Sequence, residues 1–557
     1  MRLSGADIIV KTLIEQGCDT VFGYPGGQIL NVYDSLYTHQ NEINHILTAH
    51  EQGAAHAADG YARATGKVGV VISTSGPGAT NLVTGIATAC LDSVPMVAIC
   101  GNVPTTQIGT DSFQEIDITG VTLPITKHNY FVGRVEELAD TIREAFALAA
   151  SGRPGPVLID VPKDVQIACC DYEPQPPAKP EPPKAAKEIR IKEAANYINA
   201  ARRPYIYFGG GMITAGAQEE MLRLADMIDA PIGCSLMGIS GIPTDHPRFL
   251  GMQGMHGHYA SSMAMHHADL IISLGVRFND RVTGNRHKFA TGAKIVHIDV
   301  DGSELSKTVN AVCGLRGDVK PTLDALLPLI TAGEKPEWRA EVDGFRAGED
   351  EYLDHRAGMT PRNAILTLNR HLGENTAVCT DVGQHQMWAA QNLSFRTPRR
   401  FISSGGLGTM GFGFGAAIGA AFGTRERSVL VTGDGSFGMC LQELATAVTY
   451  NIPIVILILN NGVLGMVRQW QTLFFNKHYS NTILDRKTDF PAFARSFGAD
   501  GETVTTPEEL DAALTRAFAA EGPYIVDCRI DKDEFVLPML PPGGSMDDII
   551  VKAEVEK

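Results

Sequence analysis

Two polar clusters at the ends of apolar runs carry the strongest chemical signal in the sequence. Val429-Leu-Val-Thr leads into Gly433-Asp434-Gly435-Ser436, and Ile452–Leu459 leads into Asn460-Asn461, so that Asp434 and Asn461 stand 27 residues apart. An Asp and an Asn at the ends of two strands offer hard oxygen ligands. That set suits Mg²⁺, which completes its shell with phosphate oxygens. The glycines let backbone N–H groups approach a pyrophosphate at a helix start. A Gly-Asp-Gly alone is equally a capped turn; the strand, the spacing and the Asn pair set this one apart. Glu51, between Asn44–Thr48 and the small-residue run Gln52-Gly53-Ala54-Ala55, reads by itself as a helix-start carboxylate favoured by the macrodipole. Gly209-Gly210-Gly211 follows Pro204–Phe208 as a phosphate-approach loop does, and Asp299 follows Ile295–Ile298, where ribose acceptors sit. Arg281 has the planar fork that suits a carboxylate, although a surface ion pair explains it too. Trp470 reads equally as a core ring, and the unbranched, polarisable Met410 as a core filler.

These residues need rigid strands behind them, and the chain supplies them. Apolar runs at Val68–Ser73, Pro95–Cys100, Pro204–Phe208, Leu270–Leu274, Ile295–Ile298, Ala377–Thr380, Ser428–Thr432 and Ile452–Leu459 alternate with helical stretches. This predicts an α/β protein with three doubly wound parallel sheets, ligands gathering where strands end. The Pro-rich stretch Asp171–Lys184 and the charged stretch Gly333–Gly358 divide it. The expected boundaries are 1–168, a linker 169–188, 189–332, a polar linker 333–358, 359–545 and a tail 546–557. The first and third blocks look alike in plan. Ser4 and Asp7 stand at capping-box spacing.

With 557 residues, 44% hydrophobic and 20% charged, the chain has the balance of a large globular core, which excludes disorder. Its 47 Lys+Arg against 63 Asp+Glu give a net charge of −16, which argues against a nucleic-acid partner. The longest apolar run is far short of a membrane span, and the N-terminus shows no signal-peptide pattern. The ten scattered cysteines read as reduced thiols, hence a cytoplasmic placement.

The Gly433–Gly435 and Asn460-Asn461 pair resembles the diphosphate- and metal-binding motif of thiamine-diphosphate enzymes. Phe22-Gly-Tyr-Pro-Gly-Gly27, Ser75-Gly-Pro-Gly-Ala-Thr-Asn81, Ser404-Gly-Gly-Leu-Gly-Thr-Met-Gly411 and Gly465-Met-Val-Arg-Gln-Trp470 narrow it. They are similar to the catalytic subunits of acetohydroxyacid synthase (acetolactate synthase), and the likeness covers nearly the whole chain.

The resemblance implies three cofactors: thiamine diphosphate, Mg²⁺ and FAD. The metal would take Asp434, Asn461 and the carbonyl of Val463. Gln384, His385, Met410, Gly433, Gly435 and Ser436 would hold the coenzyme, with Met410 wedged beneath its two rings. Glu51 would hydrogen-bond the aminopyrimidine and so serve as base through the coenzyme. Gly27, Phe113 and Gln114 would line the reacting centre and Lys163 the channel mouth. Arg281 would meet the carboxylate of the second substrate, with Trp470 and Met255 beside its alkyl group. FAD, without a net redox role, would lie along Arg153, Gly209, Gly210, Gly211, His256, Gly257, Arg277, Asp299 and Asp318.

The implied activity decarboxylates pyruvate and joins its two-carbon remainder to a second 2-keto acid, pyruvate or 2-ketobutyrate. The products are 2-acetolactate or 2-aceto-2-hydroxybutyrate, the branched-chain amino-acid precursors. Glu51 of one subunit would reach the coenzyme of another, implying a homodimer or homotetramer; family members often bind a small regulatory subunit. A pyruvate oxidase, another carboligase, the flavin-free catabolic enzyme and an inactive scaffold stay open. Gln28 replaces the family's usual Ala, Asn279 its usual Asp, and Gly462 and Val463 more polar residues.

Overall fold

A computed structural model describes residues 1–553. The eight expected runs are all strands, each within two residues of the expected bounds. They belong to three six-stranded sheets, every pairing within them parallel. Their central strands are buried throughout, as sheets covered by helices on both faces require.

The N-terminal sheet runs Asn44–Leu47, Thr20–Gly23, Gly69–Ser73, Met96–Asn102, Pro156–Pro162, His128–Phe131. The C-terminal sheet has the same order of strands: Phe401–Ile402, Ala377–Thr380, Ser428–Gly433, Ile454–Asn460, Tyr524–Arg529, Asp500–Val504. The central sheet differs. Its order is Phe249–Met252, Ile232–Cys234, Pro204–Phe208, Leu270–Leu274, Lys294–Asp299, Cys313–Arg316. By sequence that is 3-2-1-4-5-6, the dinucleotide-binding order, with its crevice between the first and fourth strands.

The N- and C-terminal sheets are joined through two helices of small residues, Glu51–Thr65 and Phe412–Thr424. A Cβ at Gly419 would lie 1.8 Å from the Ala57 carbonyl oxygen, so only glycine lets the backbones approach this closely. The first helix starts at His50, whose Nδ1 accepts the Gln52 N–H at 3.0 Å, and ends on left-handed Gly66.

Three expected boundaries change. The stretch 333–358 is not a linker: Pro336–Asp350 is a helix. Its charges hide an apolar stripe of Trp338, Val342 and Phe345 at helical spacing, and Trp338 is buried with its indole N–H on the Pro204 carbonyl at 3.0 Å. The expected linker 169–188 begins with a strand, Cys169–Asp171, antiparallel to Arg2–Ser4. The expected tail 546–557 folds back in part, Met539 bridging Ile550; residues 554–557 lie outside the described residues. Among the described residues, no helix is long and apolar enough to cross a membrane, and all ten cysteines are free.

Candidate functional site

In the C-terminal sheet the crevice lies between Ala377–Thr380 and Ser428–Gly433; Gln384 and His385 follow the first strand, Gly433 ends the second and Asp434 follows it. Burial pushes the Asp434 carboxyl up to about 6, although backbone N–H groups, that of Asn461 among them, favour its charge. The two asparagines separate. Asn460 donates to Asp527 at 2.8 Å and is structural, whereas Asn461 sits on the turn after it. Leu484 N–H donates to Gly462 and Leu464 N–H to Thr482 across the Val463–Ile483 bridge, a pairing that leaves the Val463 carbonyl out of the ladder.

His385 is buried, and that burial pushes its imidazole down to about 3. Its Nε2 lacks a partner, and Nδ1 would lie 2.9 Å from a Cβ at Gly433. Gln384 is buried beside it. Its side-chain Nε2 donates to Glu534 O at 2.7 Å and to Gln469 Oε1 at 3.0 Å.

Asp381, which the sequence reading left without a role, ties two parts of the site together. Its carboxylate accepts the N–H groups of Gly411 (2.7 Å) and Gly413 (3.3 Å) and the Thr432 hydroxyl (3.1 Å). It therefore fixes the turn carrying Met410 to the strand that leads into Asp434. Full burial pushes this carboxyl up. The available signal was its place directly after the strand Ala377–Thr380.

A cleft of about 1550 Å³ opens beside Met410. It collects the expected substrate residues Arg281, Trp470 and Met255. The Arg281 guanidinium lies 5.6 Å over the Trp470 ring and 3.6 Å from Met255 Sδ. Among the described residues its nearest carboxylate is Asp280 at 3.9 Å, beyond hydrogen-bond length, so no carboxylate occupies the fork. The same cleft is lined by Arg153, Gly209, Gly210, Gly211, His256, Arg277, Asp299 and Asp318. Gly211 N–H meets the Gly275 carbonyl at 3.0 Å, in the crevice of the dinucleotide-type sheet.

Gly257 does not line the cleft; it closes the turn behind His256. His256 is pushed down to about 4 by burial, and its Nδ1 and Gln253 Oε1 are buried without partners. Arg153 is held by Asp301 and Glu304, each at 3.1 Å, and Asp318 also caps the helix Val319–Leu326.

Glu51, Gly27, Phe113, Gln114 and Lys163 do not line this cleft. Glu51, Gly27, Gln114 and Lys163 gather instead around the turn Thr74–Gly78 at the N-terminal sheet's crevice. Glu51 is buried at the first helical position and accepts from Asn81 Nδ2 at 3.0 Å. Its Oε1 would lie 3.3 Å from a Cβ at Gly78. Lys163 Nζ donates to the Gly27 carbonyl at 3.1 Å, Gln28 N–H donates to Thr74 Oγ1 at 3.2 Å, and Gln114 packs on Gly76. Phe113 is 83% exposed. Glu443, from the C-terminal block, accepts the Ala49 N–H at 3.1 Å and so ties the Glu51 helix to that block.

Three family models match in order along the chain. They are the thiamine pyrophosphate enzyme N-terminal TPP binding domain over 3–121, the central domain over 191–326 and the C-terminal TPP binding domain over 381–528. The chain is 46% identical to a probable acetolactate synthase large subunit of Methanocaldococcus jannaschii, over 100% of this chain and 96% of that one. It is 42% identical to the acetolactate synthase large subunit of Haemophilus influenzae (100% and 99% covered). It is 44% identical to the acetolactate synthase isozyme 2 large subunit of Escherichia coli K12 (99% and 100% covered). The three domain matches in chain order and this end-to-end likeness agree: the chain belongs to the thiamine pyrophosphate enzymes, within the family of acetolactate synthase large subunits.

Proposed function

We propose that the chain is an acetolactate synthase: it decarboxylates pyruvate and joins the two-carbon remainder to a second 2-keto acid, giving 2-acetolactate or 2-aceto-2-hydroxybutyrate. The observation that carries this reading is the convergence of Arg281, Trp470, Met255 and Met410 on one cleft. Bound thiamine diphosphate would supply a nucleophilic thiazolium carbon and a cationic ring that holds the electron pair left behind as CO₂ departs. The chain's own residues do the rest. Glu51 shares a proton at the coenzyme's pyrimidine ring. Neutral His385 offers an N–H to the diphosphate. Met410, fixed through Asp381, supports the rings. Arg281 binds the acceptor's carboxylate, and Trp470 packs on its alkyl group.

Asp434, Asn461 and the Val463 carbonyl form an all-oxygen set that fits Mg²⁺ once phosphate completes it. FAD fits the central crevice: the strand order, the three glycines and the orphaned His256 Nδ1 and Gln253 Oε1 support it. Because Glu51, Gly27 and Gln114 stand apart from the Met410 cleft, the working unit is at least a homodimer. In it one protomer's Glu51 serves its partner's diphosphate half. Relatives are named large subunits, so a small regulatory subunit is expected as well. The free thiols support a cytoplasmic placement.

The test is a pyruvate assay with thiamine diphosphate, Mg²⁺ and FAD omitted in turn. Acetolactate only with the coenzyme and cation is expected; peroxide in its place would overturn the reading in favour of an oxidase. The purified protein is expected to be yellow, with a flavin absorbance spectrum. A colourless protein at full rate without added FAD would remove the flavin assignment.

Trp470→Leu is expected to lower the ketobutyrate-to-pyruvate product ratio about tenfold in a competition assay, since one methylene in an apolar pocket is worth roughly 1–3 kcal/mol. An unchanged ratio would take Trp470 out of selectivity.

A further inference from the structure

Asparagine is a two-faced ligand: its oxygen binds a cation, and its amide nitrogen, of nearly the same shape, repels one. The site therefore needs something to choose which end of Asn461 faces Asp434. We propose that Gln384 and Gln469 are positioning residues that make this choice, as a relay of side-chain amides keyed by the main chain of Glu534–Val536. The inference rests on the reading of Asp434 and Asn461 as cation ligands.

The direction of each link follows from main-chain groups whose roles are not interchangeable. Val536 N–H is only a donor and lies 2.9 Å from Gln469 Oε1, while Gln469 Nε2 reaches the Val536 carbonyl at 3.1 Å. Gln469 is thus fixed at both ends. The Glu534 carbonyl is only an acceptor and takes Gln384 Nε2 at 2.7 Å; the same nitrogen donates to Gln469 Oε1 at 3.0 Å. Gln384 Oε1 must then point the other way, and it accepts Asn461 Nδ2 at 3.2 Å. Asn461 consequently presents its oxygen to the site, where Val463 N–H also donates to it at 3.2 Å. Flipping Asn461 would lose the first bond and set its NH₂ against that N–H.

The relay is dry and anchored. Gln384 is 4% and Gln469 2% exposed. A Cβ at position 465 would lie 2.0 Å from Gln384 Oε1 and 2.7 Å from Asn461 Nδ2, so Gly465 keeps the path open. The 533–536 segment is pinned by Arg468 on Asp533 at 2.6 Å and Arg356 on Glu534 at 2.6 Å.

The test titrates Mn²⁺, as a paramagnetic probe, into full-length protein with thiamine diphosphate present, free Mn²⁺ being read by electron paramagnetic resonance. Gln384→Leu is expected to weaken Mn²⁺ binding about tenfold, the lower end of what groups behind metal ligands contribute. Gln469→Met, which breaks the next link, is expected to weaken it less. In an Asn461→Asp background, where both ends are oxygen, Gln384→Leu is expected to cost nothing further. Unchanged Mn²⁺ affinity in both single variants, or an equal loss with and without Asn461→Asp, would overturn the relay, because a merely structural effect adds. Asp434→Asn separates the two readings: if it binds Mn²⁺ as well as the parent, the cation site itself is misplaced.

Discussion

Glu51→Gln is expected to retain thiamine diphosphate and lose turnover by about 10²–10⁴-fold, the range that a positioned acid–base group contributes. The substitution keeps the shape of the side chain and keeps an oxygen for Asn81 Nδ2, which now holds Glu51 Oε2 at 3.0 Å. What changes is the other end. A carboxylate there accepts and shares a proton at the pyrimidine ring; an amide NH₂ does not. The helix should be indifferent, since its start is secured by His50 and by Glu443 on the Ala49 N–H. The check is steady-state acetolactate formation beside coenzyme binding by circular dichroism. Near-normal turnover would remove the proton-sharing role. Normal binding with normal stability and lost turnover would place it on chemistry rather than folding.

Arg63→Met is expected to produce the largest loss of stability. Arg63 donates to Asp59, to Asp92 at 2.9 Å and to the Ser403 carbonyl at 2.8 Å, and the side chains of both acids are fully buried. Asp92 in turn accepts the N–H groups of Gly405 (3.0 Å) and Gly406 (2.7 Å), in the stretch that leads to Met410. Removing the cation leaves buried carboxylates uncompensated, a loss of about 3–5 kcal/mol. A fall in the thermal midpoint of about 3–4 °C is expected for a chain of this size.

The pH dependence has a definite sign. Burial already holds the Asp59 carboxyl above its ordinary value, and Arg63 pulls it down. Without Arg63 it rises further. A carboxyl raised in the folded state loses stability as pH climbs through that value, so the variant's deficit should shrink on acidification toward the ordinary carboxylate range. A deficit that stays flat on acidification would mean that the acids find other partners.

Local pattern by itself was enough for the strands and for the residues that follow them. A buried parallel strand is a short apolar run, so Ile454–Asn460 or Leu270–Leu274 is visible without any neighbour. The motifs at their ends mark the crevices because ligands of such sheets bind there. The helix Pro336–Asp350 escaped because its three apolar residues are diluted by charges, and only the surface it packs on reveals the stripe. The relay from Val536 through Gln469 and Gln384 to Asn461 escaped for a deeper reason. Each residue's type is ordinary, and its role is set by hydrogen-bond direction across 67 to 85 residues of sequence separation. Likewise Asp381, Arg63 and Glu443 acquire their roles from the groups folded onto them. The motifs, through their likeness to a known family, indicate which chemistry this chain holds. Which end of an amide faces a cation, which carboxylate loses its water and which half-sites share a cavity were decided only when the three sheets packed, because desolvation and orientation are properties of the packed interior.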